Sequence, residues 1–219
     1  MTRMTLDLAL DPETSLEPVL HHLRAGGLIA YPTETVYGLG GMCTPDSVAE
    51  VFRVKQREES KPLLALVSSM EGLVDLRWSH AARALAEVFW PGSVTLVLPD
   101  PLGIFPRGVR SESTGAVGVR ITPHPLAARL VAALGAPLTS TSLNVPGQPP
   151  AASGVEAARV LDQLGREDVW LLDGGPLPSS DPSTVIDCTG ADPVVLREGS
   201  VPIHRLRCVI PEIHGRVER

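Results

Sequence analysis

Leu28-Ile-Ala-Tyr-Pro-Thr-Glu-Thr35 is a short apolar run that a proline stops and that three polar residues follow at once. The apolar part, residues 28–31, predicts a buried strand because glycines precede it and the proline ends it. Ligands of open α/β sheets lie in the crevice at strand ends, where loops from several strands converge. The polar residues 33–35 are therefore candidates for one wall of a binding site, although they could merely cap a turn.

Helices and strands alternate along only part of the chain. Apolar spacing, caps and turn residues predict helices over about 13–24, 45–54, 80–90, 125–134 and 153–164, and strands over about 28–31, 63–67, 94–98, 117–121, 138–142, 169–172, 184–187 and 194–196. Several strands follow one another directly, which favours a mixed sheet with helices packed on it over a purely parallel sheet. No domain boundary stands out, so we expect one domain over residues 1–219, with a core at about 15–200 and a C-terminal tail at 201–219.

Composition excludes several classes of function. The net charge is −6, the pI is about 5.5 and only 4% of residues are aromatic, which disfavours nucleic-acid binding as the main role. The three cysteines form no Cys-x-x-Cys pair and the histidines no helical pair, so neither a disulfide framework nor a zinc site is expected. Neither a signal peptide nor a membrane-spanning run is apparent, which predicts a reduced, cytoplasmic protein.

The charged window Lys55-Gln-Arg-Glu-Glu-Ser-Lys61 contains both lysines of the chain, whereas the summed Lys and Arg count is 19. A lysine ammonium is a compact point charge that suits a phosphate oxygen, and arginine offers a planar, two-pronged donor. The window Lys-x-Arg-x-x-x-Lys therefore predicts a polyphosphate clamp in which Lys55 and Arg57 are at least partly solvent-facing. A solvated, charged helix end is the alternative interpretation.

No glycine-rich phosphate loop accompanies this window. Gly38-Leu-Gly-Gly41 has the wrong spacing for either nucleotide-binding loop, so side chains must hold any phosphates. Further candidates lie near the ends of predicted strands, namely Arg120, the segment Ser140-Thr-Ser-Leu-Asn144, Ser183 and Arg197. The alternatives are surface arginines and an ordinary polar loop.

Taken together, these segments resemble the YrdC family. The matching stretches, which occur in order between about residues 15 and 200, are Tyr-Pro-Thr-Glu-Thr-Val-Tyr-Gly-Leu-Gly (31–40), Lys-Gln-Arg (55–57), Lys-Pro-Leu (61–63), Trp-Pro-Gly-Ser-Val-Thr-Leu-Val (90–97), Val-Gly-Val-Arg (117–120), Ser-Thr-Ser-Leu-Asn (140–144), Ser-Thr-Val-Ile-Asp (183–187) and Leu-Arg-Glu-Gly (196–199).

The resemblance implies an α/β fold, with a twisted mixed sheet and packed helices around a large, positively lined cavity. It implies that L-threonine, bicarbonate and ATP, the last with Mg²⁺, give threonylcarbamoyl-AMP and pyrophosphate. A partner enzyme then takes the adenylate to modify tRNA, and tRNA binding by this chain itself is at most weak. The resemblance places threonine on Thr35, Arg120, Ser140 and Ser183, and ATP on Lys55, Arg57, Lys61, Ser142, Asn144 and Arg197, with Lys55 and Arg57 as the catalytic cations.

Three positions depart from the family pattern. Leu66 stands where histidine is frequent, at a position associated with the threonine pocket; Ala116 stands where threonine is common; and Val145-Pro-Gly147 follows Asn144 where Ser-Gly is usual. Two rival functions remain at this point. One is carbamoyl-adenylate chemistry like that of hydrogenase maturation proteins, and the other is an RNA-binding module that uses the same basic cavity.

Overall fold

The computed structural model describes residues 5–7, 15–58 and 61–215. The helices there are α1 (Glu17–Arg24), α2 (Pro45–Lys55), α3 (His80–Phe89), α4 (Pro125–Leu134), α5 (Gly154–Gln163) and α6 (Ile203–Arg207). The strands are β1 (Thr5–Asp7), β2 (Ile29–Pro32), β3 (Tyr37–Gly40), β4 (Leu64–Leu66), β5 (Val94–Pro99), β6 (Ala116–Arg120), β7 (Leu138–Ser142), β8 (Trp170–Asp173), β9 (Thr184–Asp187), β10 (Val194–Arg197) and β11 (His214–Gly215).

The described strands form one sheet in the order β1-β8-β2-β3-β7-β4-β6-β5-β9-β10-β11. Some neighbours run parallel, such as β4 with β6 and β5 with β9, and others antiparallel, such as β4 with β7 and β5 with β6. The mixed α/β sheet expected from directly consecutive strands is therefore confirmed.

The two faces of this sheet are covered differently. One face carries the larger core cluster, in which Ala65, Leu96 and Val119 pack with buried residues of α2, α3 and α5. The opposite face carries a second cluster in which α1 and α4 pack on residues such as Tyr31 and Leu66. Because side chains of a strand alternate between faces, residues such as Leu64 and Gly118 point to that second face. The second cluster does not include Gly118 or its neighbours on β5 and β9, and this part of the face is open.

Strand β3 is the main element that sequence patterning missed. Its glycines argue against a strand by propensity, yet all four of its residues are buried. A Cβ added at Gly40 would lie 1.7 Å from the backbone oxygen of Thr139 on β7, so the close approach of these strands requires glycine here. Gly38-Leu-Gly-Gly41 is therefore part of the sheet and not a phosphate loop.

Helix α2 carries Lys55 at its C-terminal end, and the segment after it brings Arg57 to the open face. Thr44 caps its start by accepting a hydrogen bond from the Ser47 amide, as the Thr-Pro pair predicts. The residue that caps its C-terminal end is Gln56, whose backbone is left-handed with φ of 45°. The chain therefore turns sharply between Lys55 and Arg57. The two cations consequently leave the helix end in different directions.

The tail after Val201 packs against the body of the protein. Leu206, Ile210 and Ile213 are buried members of the larger core cluster, and Thr184 donates a hydrogen bond of 2.6 Å to the Val201 carbonyl. None of the described tail residues lines the open face.

Candidate functional site

The open part of the second sheet face forms a cavity of about 470 Å³. Its floor contains Ser140, Leu64, Gly118, Val97 and Asp187, which lie side by side on the neighbouring strands β7, β4, β6, β5 and β9. All of them occupy alternate strand positions that point away from the larger core. The site is thus built on rigid strands, with loops at its edge.

The structure brings seven of the ten sequence-predicted site residues to this one cavity. These are Thr35, Arg57, Arg120, Ser140, Ser142, Ser183 and Arg197. Lys55, Lys61 and Asn144 do not line it.

Arg120 is the most buried cation of the cavity, with only 3% of its surface exposed. Its Nη1 lies 3.0 Å from Oε1 of Glu34, in the loop after β2. Its Nε has no hydrogen-bond partner among the described residues. This Nε is fully buried and closed to a ligand, so a ligand in the cavity would meet the part of Arg120 that lines it. Arg120 therefore lines the cavity and is not a surface arginine.

Arg57 is held at the cavity wall by backbone carbonyls. Its Nε donates to the Lys61 carbonyl at 2.6 Å, and its Nη2 donates to the Pro62 carbonyl at 3.1 Å. Burial, followed by the positive charge of Arg197, lowers the pKa of Arg57. The guanidinium is thus fixed next to another cation, an arrangement that an anion between them would stabilise.

Arg197 and Ser183 form one unit at the other side. Nη2 of Arg197 donates to the Ser183 carbonyl at 2.8 Å and approaches its Oγ at 3.3 Å. The Ser183 hydroxyl also shares a hydrogen bond of 3.0 Å with Thr95 Oγ1. Burial, followed by the charge of Arg120, lowers the pKa of Arg197. Arg197 stands at the partly exposed edge of the cavity, so its head can meet solvent and ligand alike.

Lys55 differs from its prediction. It is only 8% exposed, not partly solvent-facing, and its Nζ donates to the backbone carbonyl of Asn144 at 2.8 Å and to Asn144 Oδ1 at 2.6 Å. Ser142 Oγ donates to the same Oδ1 at 2.9 Å. Burial, with a smaller effect of Arg57, lowers the pKa of Lys55 to about 8. The lysine lies behind the cavity wall because α2 packs against the loop that follows β7.

Lys61 faces solvent. Its side chain is 62% exposed and forms an ion pair of 3.1 Å with Glu58. Its contribution to the cavity in this structure is the backbone carbonyl that accepts from Arg57.

The polar residues after β2 form a turn and also contribute to the cavity wall. Thr33 stabilises the turn, since its Oγ1 donates to the Val36 carbonyl at 2.8 Å and accepts from the amides of Thr35 and Val36. Thr35 lines the cavity, and its hydroxyl is 3.1 Å from that of Thr33. Thr33 therefore has the turn-capping role of the alternative interpretation, and both Thr33 and Thr35 line the cavity as the binding-wall interpretation expects.

Several lining residues escaped the sequence analysis, among them Thr95, Asp187 and Leu196. Thr95 and Asp187 lie inside predicted strands, and the alternation of faces could have found them only if the ligand face had been known. Asp187 is the sole acidic side chain among the described residues that line the cavity, and Leu196 is a 38% exposed apolar residue.

The departures at Leu66 and Ala116 have different consequences. Leu66 is fully buried in the second core cluster and does not line the cavity, so it makes no direct contact with a ligand there. Ala116 does line the cavity and is 2% exposed. A threonine at this position would add a hydroxyl to the floor, and this chain lacks that group.

Two features are absent from the residues that the structure describes. No cluster of three or more His, Cys, Asp or Glu side chains there could hold a metal ion. None of the helices in the same part of the chain is long and apolar enough to cross a membrane.

Comparisons with known proteins agree on one family. The Sua5/YciO/YrdC family model, described as telomere recombination, matches residues 21–199. The threonylcarbamoyl-AMP synthase of Bacillus subtilis is 35% identical over 208 residues, which cover 93% of this chain and 58% of that protein. A putative threonylcarbamoyl-AMP synthase of Mycobacterium tuberculosis is 34% identical, and the match covers 94% of both chains.

A solved structure shows the same architecture. The Pyrococcus abyssi Sua5 protein complexed with L-threonine superposes with a TM-score of 0.85 at 32% identity, covering 99% of this chain and 63% of that chain. The chain thus spans less than two thirds of this protein and of the Bacillus relative, and nearly all of the mycobacterial one. The family match covers most of the chain, including the strands that carry Arg120, Ser140 and Ser183. This protein is a member of the Sua5/YciO/YrdC family.

Proposed function

We propose that this protein is an L-threonylcarbamoyladenylate synthase, which converts L-threonine, bicarbonate and ATP to threonylcarbamoyl-AMP and pyrophosphate. The observation that carries the proposal is the set of three arginines, Arg57, Arg120 and Arg197, around one hydroxyl-rich cavity. The names of the relatives, threonylcarbamoyl-AMP synthases at 34–35% identity, and the threonine complex of the Pyrococcus protein support the same reaction.

The electrostatics of the cavity favour a highly charged anion. Arg57 and Arg197 each have a lowered pKa because burial and a neighbouring arginine disfavour their charged forms. A polyphosphate placed between them would offset both effects. The net charge of the whole chain is −6, so the attraction for an anion comes from the local grouping of these cations and not from the overall charge.

The buried end of the cavity suits an amino acid. Arg120 lines the cavity and its guanidinium suits a carboxylate, and the hydroxyls of Thr35, Ser140 and Ser183 line the same cavity. In the proposed complex, Arg120 binds the threonine carboxylate and the hydroxyls orient the remaining polar groups. A volume of about 470 Å³ falls in the ordinary range of about 300–1,000 Å³ for small-molecule sites.

ATP would then occupy the side lined by Arg57, Arg197 and Ser142. Lys55 and Asn144 support this side from behind, because the lysine fixes Asn144 and Asn144 accepts from Ser142. Lys61 lies outside the cavity, where a movement of its exposed side chain would be needed to reach a phosphate.

The proposed reaction needs no protein nucleophile and depends mainly on the positioning of the substrates. The threonine amine adds to CO₂, formed from bicarbonate, and loses a proton to give a carbamate. A carbamate oxygen then attacks the α-phosphorus as the bond to pyrophosphate breaks. Negative charge grows on the phosphoryl oxygens and on the leaving group, and the arginines are placed to stabilise it.

Mg²⁺ belongs to the substrate in this scheme. Among the described residues no cluster could hold a resident metal, so the ion would enter bound to the ATP phosphates and water. Asp187 supplies a carboxylate inside the cavity that is compatible with a hydrated cation there.

The adenylate would be consumed by a partner enzyme that transfers the threonylcarbamoyl group to an adenosine of tRNA. A mixed phosphoric–carbamic anhydride is an activated acyl donor, and it needs an acceptor to complete a modification. Direct tRNA binding by this chain is proposed to be weak at most, because its net charge is negative.

The decisive experiment measures pyrophosphate release from ATP with and without L-threonine and with and without bicarbonate. Release that requires both substrates, with threonylcarbamoyl-AMP identified by mass spectrometry, is the expected result. Release supported by carbamoyl phosphate instead of threonine and bicarbonate would favour the hydrogenase-maturation type of chemistry. Salt-sensitive RNA binding without any turnover would favour the binding-module function.

A further inference from the structure

Arg120 sits at the end of a chain of buried polar contacts that the reaction itself does not use. Its Nη1 is paired with Glu34 Oε1 at 3.0 Å, and the two side chains are 4% and 13% exposed. Glu34 is not among the cavity-lining residues, so it contacts the arginine from behind. A carboxylate that touches the binding arginine but not the ligand space is placed to control how that arginine is held.

Glu34 is itself oriented by Thr122. Thr122 Oγ1 donates to Glu34 Oε2 at 2.7 Å and accepts from the His124 amide at 3.2 Å. The amide fixes the direction of the hydroxyl lone pair, and so the hydroxyl proton points at the carboxylate. Thr122 is 2% exposed and lies two residues after Arg120, so strand β6 and the loop after β2 are joined at this point.

We infer that Glu34, held by Thr122, is a positioning residue that fixes the Arg120 guanidinium for carboxylate recognition. The ion pair at Nη1 is a contact of opposite charges, since Glu34 Oε1 has no hydrogen-bond partner among the described residues, and it restricts the rotation of the arginine side chain. A guanidinium held in one rotamer loses less conformational entropy when it binds a carboxylate. The inference rests on the proposed function, in that the carboxylate is taken to be that of threonine.

Charge repulsion between Glu34 and the substrate carboxylate would change the affinity for threonine in the opposite direction. Glu34 carries a negative charge close to the place where the substrate carboxylate would lie, and repulsion alone would weaken binding. Removing that charge therefore separates the two possibilities: binding weakens if Glu34 positions Arg120, and it tightens if repulsion dominates.

The experiment compares Glu34→Gln, Thr122→Val and the control Glu112→Gln, whose carboxylate forms an exposed ion pair with Arg107. The KM for L-threonine is expected to rise about tenfold in Glu34→Gln, equivalent to about 1.4 kcal/mol, and about threefold in Thr122→Val. The KM for ATP should change less than about twofold in each variant, and the control should match wild type. A threonine KM that is unchanged or lower in folded Glu34→Gln would overturn the inference.

Chemical rescue gives a second readout that a merely structural role would not produce. Added guanidinium ion at millimolar concentration should restore part of the threonine-dependent turnover of Arg120→Ala, because Glu34 would hold the ion in the vacated space. It should restore none in Arg120→Ala/Glu34→Gln, and equal rescue of the two variants would contradict the positioning role. Calorimetry of L-threonine binding to wild type separates the two proposals: no binding means that both fail, whereas wild-type binding with an unchanged Glu34→Gln refutes only the role of Glu34.

Discussion

The ammonium of Lys55 binds both oxygens of Asn144, the backbone carbonyl at 2.8 Å and Oδ1 at 2.6 Å. This pair joins the end of α2 to the loop after β7, next to Ser142, the last residue of β7, which lines the cavity. One of the two lysines of the chain therefore stabilises the cavity wall beside the proposed phosphate site. The other, Lys61, points to solvent.

The first prediction concerns pH. Burial lowers the pKa of Lys55 from 10.5 to about 8, so its charge is lost as the pH rises through that value. The value of kcat/KM for ATP reports ionisations of the free enzyme, and it should fall above a pH of about 8. Lys55→Arg should remove this falling limb because arginine stays charged, whereas the matched Lys61→Arg should retain it. A limb that persists in Lys55→Arg would assign the ionisation to another group.

The same shift has a defined sign for stability. Between a pH of about 8 and 10.5 the unfolded chain holds a proton on Lys55 that the folded chain has released. The contribution of this group to the free energy of unfolding therefore increases as pH rises through that window. Urea titrations of wild type and Lys61→Arg should show this increase, and those of Lys55→Arg should lack it.

The second prediction tests the arginine fixed by backbone carbonyls. Arg57→Ala should lower kcat/KM for ATP by about 10²–10³-fold, the usual effect of removing one stabilising donor from a reacting site. Arg53→Ala, in the last turn of α2 just before this segment and with a 73% exposed side chain, is the control and should leave activity near wild type. Initial rates of pyrophosphate release measure both variants. Wild-type turnover of Arg57→Ala would remove it from the phosphate site.

The third prediction separates threonine use from ATP use. Ser183→Ala removes a hydroxyl that bonds to Thr95, and it should raise the KM for threonine more than the KM for ATP. The loss of one neutral hydrogen bond corresponds to about 0.5–1.5 kcal/mol, or roughly 2- to 12-fold. Ser180→Ala, at an exposed serine that donates to the nearby Asp181 carbonyl, is the control. Equal effects on the two KM values would place Ser183 between the substrates.

The fourth prediction uses two strand glycines. A Cβ at Gly118 would meet Thr95 and Leu64 at ordinary distances of 3.5 and 3.8 Å, whereas a Cβ at Gly40 would clash with the Thr139 carbonyl. Gly118→Val should therefore fill the cavity floor and abolish turnover while the midpoint of urea unfolding changes little. Gly40→Ala should instead destabilise the fold, by an amount on the order of 1–3 kcal/mol. Full activity of Gly118→Val would show that the substrates do not approach this part of the floor.

Most elements could be predicted from the sequence because their local signals agree with their tertiary environment. The predicted bounds of the helix Pro125–Leu134 and the strands Leu138–Ser142 and Thr184–Asp187 match the structure. Strand β3 could not be predicted because its glycines are selected by the approach of β7, a contact distant in sequence. Helix α6, in the tail, is only five residues long and has too few positions for a periodic pattern.

Some features of the candidate site could likewise be predicted from the sequence, and others could not. The α/β class, the family resemblance and the chemical type of the binding groups could be inferred from the amino-acid sequence alone, because they depend on residue identity and local order. The burial of Lys55 against Asn144, the contact of Glu34 with Arg120 and that of Thr95 with Ser183 are visible only in the folded chain. Each of these contacts joins segments about 90 residues apart, and their geometry depends on strand register and on which sheet face the helices leave open.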